Sequence, residues 1–360
     1  MKLCIASQYL SAGSGGIARV ARLMLQVGLD NGHDVYGLAA ADKLTGSDLP
    51  ENVRAFGGNR LAFVMACQRM MMNGTPIIYD FSGTARAHFG PLGSKIPYAL
   101  WMHGIEVWEQ LRPRRKSAIV KAHTLFVNSE YTKARAISLH GGALFDRAKV
   151  CWLGTLENEA GVVSPQRYRT VPTVLIVGRL EDDRDKGHTA LIKSWPAVVA
   201  AVPDARLIII GSALPNSKVI AEAKNSPVLA NIDLIGHASE QKLAEYFSTA
   251  NIFAMPSYGE GFGLVYIEAM RYALPVIAST IDAGQEVNID GITGYNVTMD
   301  KPDMLTERLI ELLANPDRAQ AMGQAGLQRW ETEFKYERFR QRFSPLLQEF
   351  LATYENASKV

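Results

Sequence analysis

Short β-branched runs alternate with amphipathic stretches along almost the whole chain. Residues 2–6, 34–39, 77–79, 98–102 and 124–127 read as strands. Behind the first, Ile17, Val20, Ala21, Met24 and Val27 recur at helical spacing. The pattern breaks over 152–173, a stretch rich in Gly, Glu, Pro and Arg. It then restarts with strands at 174–177, 205–210, 231–235, 252–255 and 276–278, and helices near 187–201, 216–226, 239–248 and 263–273. Such repetition requires crossover connections and so predicts parallel sheets with helices on both faces, an α/β doubly wound class. Ligands of such sheets sit at the carboxyl ends of the strands, which makes the residues just after each strand the candidates for chemistry. The stretch 303–360 reads as helical, with Trp330, Phe334, Tyr336, Phe339 and Phe343 along it, too long for one capping helix and expected to run back across both halves.

Length and composition bound this picture. A chain of 360 residues suggests two domains, and 48% hydrophobic with 21% charged residues excludes a disordered or fibrous class. No apolar stretch approaches the roughly 18 residues of a membrane span. The first residues read as a strand and not as a secretory leader. Cys4, Cys67 and Cys151 are odd in number, widely spaced and set among apolar residues, which fits buried thiols in a reducing cytosol. The net charge of +2 conceals an asymmetry: residues 1–150 hold 18 Lys and Arg against 10 Asp and Glu, or +8, which leaves 20 against 26, or −6, for 151–360. The first half is therefore suited to an anionic partner, a membrane surface or a phosphorylated substrate. A nucleic-acid partner is disfavoured, because no basic stripe interleaves with aromatics.

Several strand ends carry distinctive residues. Gly13-Ser14-Gly15-Gly16-Ile17-Ala18 matches the dinucleotide fingerprint, with Asp34 or Asp42 as the ribose acid, but about six residues separate it from the first strand. It can instead offer helix N-terminal N–H groups to an anion, or be a plain turn. His103-Gly104 ends the strand 98–102. Arg112-Pro113-Arg114-Arg115-Lys116, near Trp108, reads either as a solvated helix start or as a dock for anionic headgroups. Asn128-Ser129-Glu130 reads as a helix cap. Gly178-Arg179 ends the first strand of the second half, and Lys186-Gly187 opens the next helix; together they would offer positive charge and a helix N-terminus to a diphosphate. Asp183-Arg184-Asp185 matches the D-x-D of metal-dependent sugar transferases, but flanking Arg and Lys argue against a metal there. The most informative segment is Pro256-Ser257-Tyr258-Gly259-Glu260-Gly261-Phe262-Gly263-Leu264-Val265-Tyr266-Ile267-Glu268. A glycine-rich turn leads into a helix, with Glu260 in the turn and Glu268 about two turns into the helix; both carboxylates can accept sugar hydroxyls. No Cys-x-x-Cys pair, zinc-spaced histidine set, G-x-S-x-G elbow or Walker sequence is present.

Taken together, Gly15-Gly16, His103-Gly104, Asn128-Ser129-Glu130, Gly178-Arg179, Lys186-Gly187-His188 and the Glu260–Glu268 segment resemble glycosyltransferase family 4, retaining enzymes of the GT-B fold, in particular polysaccharide-assembly members. The resemblance implies two Rossmann-like domains facing across a cleft: an acceptor-side domain over 1–155, a linker over 156–172, a nucleotide-sugar donor domain over 173–334, and a C-terminal helix over 335–360 packing back on the first domain. It implies transfer of a hexose from a UDP-glucose or GDP-mannose type donor to a glycan or lipid-linked acceptor, without a metal or other cofactor, in the cytoplasm or at the inner membrane face. Arg179 and Lys186 would hold the diphosphate, with Gly15 and Gly16 approaching it, and Glu268 would take the ribose. Glu260 and the N–H groups of Phe262, Gly263 and Leu264 would hold the sugar, with His103 at its reacting face and Gly236-His237 at the base. One departure stands out: where the family has paired glycines, this chain has Asp282-Ala283-Gly284-Gln285-Glu286. A nucleotide-sugar epimerase of the same fold and an NAD-dependent oxidoreductase are the alternative functions.

Overall fold

The computed structural model describes residues 1–43, 49–90, 93, 96–156, 171–180, 185–214, 216–298 and 300–357. The expected linker over 156–172 lies outside these residues from 157 to 170, as do Asp183 and Arg184. The chain forms two compact units: Met1–Leu156 with Tyr336–Val360, and Glu157–Lys335.

The first unit is built on a seven-stranded sheet. Its strands are β1 (Lys2–Ser7), β2 (Asp34–Ala39), β3 (Val53–Ala55), β4 (Ile77–Tyr79), β5 (Tyr98–Met102), β6 (Thr124–Val127) and β7 (Lys149–Val150), in the order β3-β2-β1-β4-β5-β6-β7. Every pairing is parallel. Alternate residues serve opposite faces, as strand geometry dictates. Cys4, Ala6, Ile77, Tyr79, Leu100 and Met102 join a core with Phe63, Cys67 and Met71 of the helix Arg60–Met72 and Ile119 of the helix Pro113–Lys121. Trp101 and Phe126, one position out of phase, meet Phe343 of the last helix, Tyr336–Ala357, at centroid distances of 5.4 and 5.5 Å. Tyr336 Oη also donates to Asp30 at 2.6 Å, at the end of the helix Gly16–Asp30.

The second unit has a six-stranded parallel sheet: β8 (Thr173–Val177), β9 (Arg206–Ile210), β10 (Ile232–Gly236), β11 (Ile252–Ala254), β12 (Val276–Ser279) and β13 (Gly294–Val297), ordered β10-β9-β8-β11-β12-β13. The helices His188–Ala201, Lys218–Lys224, Glu240–Thr249, Leu264–Arg271, Pro302–Ala314 and Pro316–Arg329 accompany it. Strand order reverses between β1 and β4 in one sheet and between β8 and β11 in the other. At such switch points the crossover helices diverge to opposite faces and leave a crevice at the strand ends.

The expected strands are present within a residue or two of their predicted ends, whereas β3, β7 and β13 went unread in the sequence. All three lie at sheet edges, are two to four residues long, and pair on one side only, so they need no continuous apolar run. The three cysteines are free and buried. Among the described residues no helix is long and apolar enough to cross a membrane.

Candidate active site

The carboxyl ends of β8 and β11 bring the second unit's charged residues to its switch point. Arg179 follows β8 and is exposed. The Lys186 stem packs on Gly178, where a Cβ would stand 3.3 Å from the Lys186 Cγ. The helix His188–Ala201 begins just beyond, but its N-terminus is already occupied. Asp185 Oδ1 accepts the N–H groups of Gly187 at 2.9 Å and His188 at 2.8 Å, and Oδ2 accepts that of Thr189 at 3.2 Å. The expectation that this helix end offers N–H groups to an anion is therefore corrected: Lys186 supplies charge, while the backbone donors serve Asp185.

The uncapped helix end lies after β11. No side chain caps the helix Leu264–Arg271, whose first turn follows Gly263. Gly263 has φ of +90°, and a Cβ there would lie 2.2 Å from the Tyr266 ring. Tyr266 in turn donates to the Met255 carbonyl at 2.6 Å, tying the strand end to the helix start. The buried Phe262 ring packs edge-on to Phe334 at 6.0 Å, so only the backbone of Phe262 is available to a ligand. Tyr266, Ile267 and Ala269–Arg271 are buried, whereas Leu264, Val265 and Glu268 are partly exposed. Glu268 thus shares the accessible face with the first turn and stands one turn into the helix, not two.

Glu260 and Lys186 meet directly. The Lys186 ammonium donates to the Glu260 carboxylate and, at 3.0 Å, to the Gly259 carbonyl. Behind them stands Asp282, a residue visible in the sequence only as a departure from the family pattern. Its Oδ2 accepts the Glu260 N–H at 3.0 Å and its Oδ1 the Gly284 N–H at 2.8 Å, while Ala283 N–H donates to the Glu260 carbonyl at 3.1 Å. Burial, then the charge of Glu260, pushes the Asp282 carboxyl up to about 7. Gly236 and His237 are exposed at the carboxyl end of β10, on the same sheet edge two strands from β8. This edge therefore offers two cations, two accessible carboxylates and uncapped helix donors, a set suited to an anionic, hydroxyl-rich ligand.

The remaining candidates lie in the first unit. Gly15 precedes the helix Gly16–Asp30, which no side chain caps, and Gly13–Gly16 is exposed. The loop before it is held by Asp42, which accepts the N–H groups of Leu10 at 2.6 Å and Ser11 at 3.0 Å. Asp34 stands at the amino end of β2, where the Tyr36 hydroxyl donates to it at 2.8 Å. Asp34 is at the wrong end of its strand, and Asp42, just past the carboxyl end of β2, is buried and already holds the loop, so the dinucleotide reading has no acid at hand for a ribose.

His103 is buried, and its Nε2 lies 2.7 Å from the Asp80 carbonyl. A carbonyl only accepts, so the proton sits on Nε2 and Nδ1 is the acceptor. Burial lowers its pKa to about 4, which keeps the ring neutral at physiological pH. The His103 backbone N–H donates to Glu106 Oε1 at 2.7 Å. Ser7 and Thr84 hydroxyls donate to the Asp80 carboxyl, and burial raises both Asp80 and Glu106 to about 7. Asp80, directly after β4 at the switch point, escaped the sequence reading although its position is of the same kind as that of His103. Ser129 is a cap, accepting Thr132 N–H at 3.1 Å, and Asn128 accepts the Trp101 indole N–H.

The basic segment opens the helix Pro113–Lys121. Arg112, Arg114 and Lys116 are exposed, whereas Arg115 lies over the Phe81 ring at 5.6 Å. Trp108 is not an outward companion to them: it packs on Gly104 and meets Tyr131 edge-on at 6.1 Å. Val120 of the helix Pro113–Lys121 is exposed, and on the helix Arg60–Met72 Leu61, Met65 and Met72 are 71%, 63% and 64% exposed at i, i+4 and i+11. Gln68, from the same helix, donates to the carbonyls of Ala87 and Phe89, which brings exposed Phe89 alongside.

Residues 162–329 match the family model of glycosyl transferases group 1. A GDP-mannose-dependent monoacylated alpha-(1-6)-phosphatidylinositol monomannoside mannosyltransferase from Corynebacterium glutamicum is 37% identical over 186 residues, 50% of this chain and 48% of that protein. The phosphatidyl-myo-inositol mannosyltransferase of Mycobacterium tuberculosis is 32% identical over 167 residues, 44% of this chain and 43% of the relative. The chain thus spans about half the length of the curated relatives it matches. Among solved structures, sucrose-phosphate synthase from Thermosynechococcus elongatus superposes with a TM-score of 0.79 at 20% identity, covering 98% of this chain and 100% of that one. Anabaena HepE in complex with UDP-glucose gives 0.77 at 18% identity, covering 97% and 100%. Residues 162–329 are thus similar to glycosyl transferases group 1, and the two parallel-sheet units have the fold of GT-B glycosyltransferases.

Proposed function

We propose that this chain is a retaining hexosyltransferase, moving a sugar from a nucleoside-diphosphate donor of the UDP-glucose or GDP-mannose type to a hydroxyl of a glycan or lipid-linked acceptor. The observation that carries the reading is the convergence of Arg179, Lys186, Glu260 and the uncapped helix Leu264–Arg271 on one switch-point edge. In this reading Arg179 and Lys186 take the diphosphate, Glu268 the ribose hydroxyls and Gly236-His237 the base. Glu260 and the N–H groups of Phe262, Gly263 and Leu264 take the sugar. The Gly15-Gly16 helix start is a further anion-binding end within the first unit. His103, neutral and with the Asn128 amide 3.5 Å from its Nδ1, can act as a hydrogen-bond partner and not as an acid.

The bond from the anomeric carbon to phosphate oxygen breaks as the acceptor oxygen bonds to the same carbon on the same face. The acceptor proton passes to the departing phosphate oxygen. No metal is required, because the two side-chain cations stabilise the leaving charge as it develops. The named mannosyl relatives, whose acceptors are phosphatidylinositol-based by their descriptions, support a lipid-linked acceptor and a GDP-mannose donor. A lipid acceptor calls for contact with a membrane. Arg112, Arg114 and Lys116, with Arg60, Arg69 and Arg86 exposed around the apolar Leu61, Met65, Met72 and Phe89, provide a face of matching chemistry in the first unit.

Incubation with labelled UDP-glucose or GDP-mannose and membrane extract tests the reading. Label should enter the lipid or glycan fraction with wild type and fall at least about a hundredfold with Arg179→Ala, the scale of losing one transition-state charge contact. Absence of transfer from either donor would sink it.

A further inference from the structure

The ammonium expected to serve a diphosphate is already bonded to the carboxylate expected to serve a sugar. We infer that this Lys186–Glu260 ion pair makes Glu260 a selector of sugar-bearing over bare nucleoside diphosphates, an inference that rests on the donor reading above. Both side chains are partly buried, so water screens the pair incompletely and its loss is felt. A diphosphate that draws Lys186 away leaves the Glu260 carboxylate without its cation and beside new negative charge. It cannot withdraw by moving its loop. Its N–H is held by Asp282, its carbonyl by Ala283 N–H, and the Asp282 oxygens behind it already accept two backbone N–H groups and offer no cation in exchange.

A hexose attached to the diphosphate changes the balance, because its hydroxyls donate to the released carboxylate. Lys186 then exchanges one anion for another while Glu260 exchanges a cation for hydroxyl donors, and no charge is stranded. A bare nucleoside diphosphate satisfies only the first exchange. The site therefore prefers donor to spent nucleotide, and product leaves as the ion pair re-forms. No bond is made or broken in this selection; it is an exchange of hydrogen-bond partners.

Isothermal titration with UDP, GDP, UDP-glucose and GDP-mannose tests it on the full chain. In the nucleotide series that wild type binds, Glu260→Gln should tighten the bare diphosphate about tenfold and shrink the preference for the sugar-bearing form by at least that factor. In a Lys186→Met background the same substitution should change bare-nucleotide affinity by less than about twofold, since the exchange partner is gone. Two results would overturn the inference: no tightening in a Glu260→Gln protein with a wild-type melting transition, or equal tightening with Lys186→Met present, which would mark a general charge effect. Failure of wild type to bind any of the four ligands would instead overturn the donor reading, and this inference with it.

Discussion

Asp282 shows what a single residue contributes beyond its motif. Its carboxyl holds two N–H groups, those of Glu260 and Gly284, while burial and the neighbouring Glu260 disfavour its charge. The pKa of about 7 lies above the ordinary carboxylate value of 3.8, so its contribution to stability is complete below about pH 4 and is lost as pH rises through 7. Asn keeps one acceptor and cannot ionise. Asp282→Asn should therefore be less stable than wild type at pH 4.5, by about 1–3 kcal/mol for the acceptor lost. The gap should narrow steadily towards pH 8, as read by chemical denaturation at both values; a gap that widens with pH would contradict the assignment. Lys186 and Glu260 were legible as residue types after strands. Their pairing, and the hold of Asp282 on a backbone 22 residues away, were not, because no sequence spacing encodes a contact through a folded loop.

At the scale of elements, the interior strands announced themselves through continuous apolar runs such as Leu207–Ile210, buried between helices on both faces. The edge strand Gly294–Val297 interleaves its two β formers, Tyr295 and Val297, with glycine and asparagine, which is too short and mixed a run to mark it as β. Helix ends were read less well than helix bodies. Two glycine-led helix starts looked alike in sequence, yet Asp185 occupies one and no side chain caps the other. The second depends on Gly263, whose positive φ and contact with Tyr266 leave no room for a methyl group. Gly263→Ala should destabilise the second unit by about 2 kcal/mol or more and weaken sugar-nucleotide binding disproportionately, because the first helical turn shifts with Tyr266. Thermal denaturation with titration calorimetry reads both effects; unchanged affinity in the variant would argue that this turn does not touch the donor.

Across the whole molecule, the two units differ in charge: the first holds 22 Lys and Arg against 13 Asp and Glu, or +9, and the second 16 against 23, or −7. The acid-poor, partly apolar face of the helix Arg60–Met72 and the start of the helix Pro113–Lys121 was half legible: the run Arg112–Lys116 stands out in the sequence, but nothing in the sequence shows that Leu61, Met65 and Met72 face outward. Vesicles with about one-third phosphatidylglycerol should sediment the protein and phosphatidylcholine vesicles should not, and Arg112→Glu with Lys116→Glu should cut binding about tenfold or more, at roughly 1 kcal/mol per basic residue. Equal binding to both vesicle types would contradict an electrostatic dock. The central claim, that the second unit holds a nucleoside-diphosphate sugar at the ends of β8 and β11, is tested most directly by titrating UDP-glucose and GDP-mannose into wild type and Lys186→Ala. One of the two sugars should saturate wild type, with affinity reduced at least about tenfold in the variant, as loss of a charge-assisted contact requires. Saturable binding that Lys186→Ala leaves unchanged would place the donor elsewhere and contradict the account.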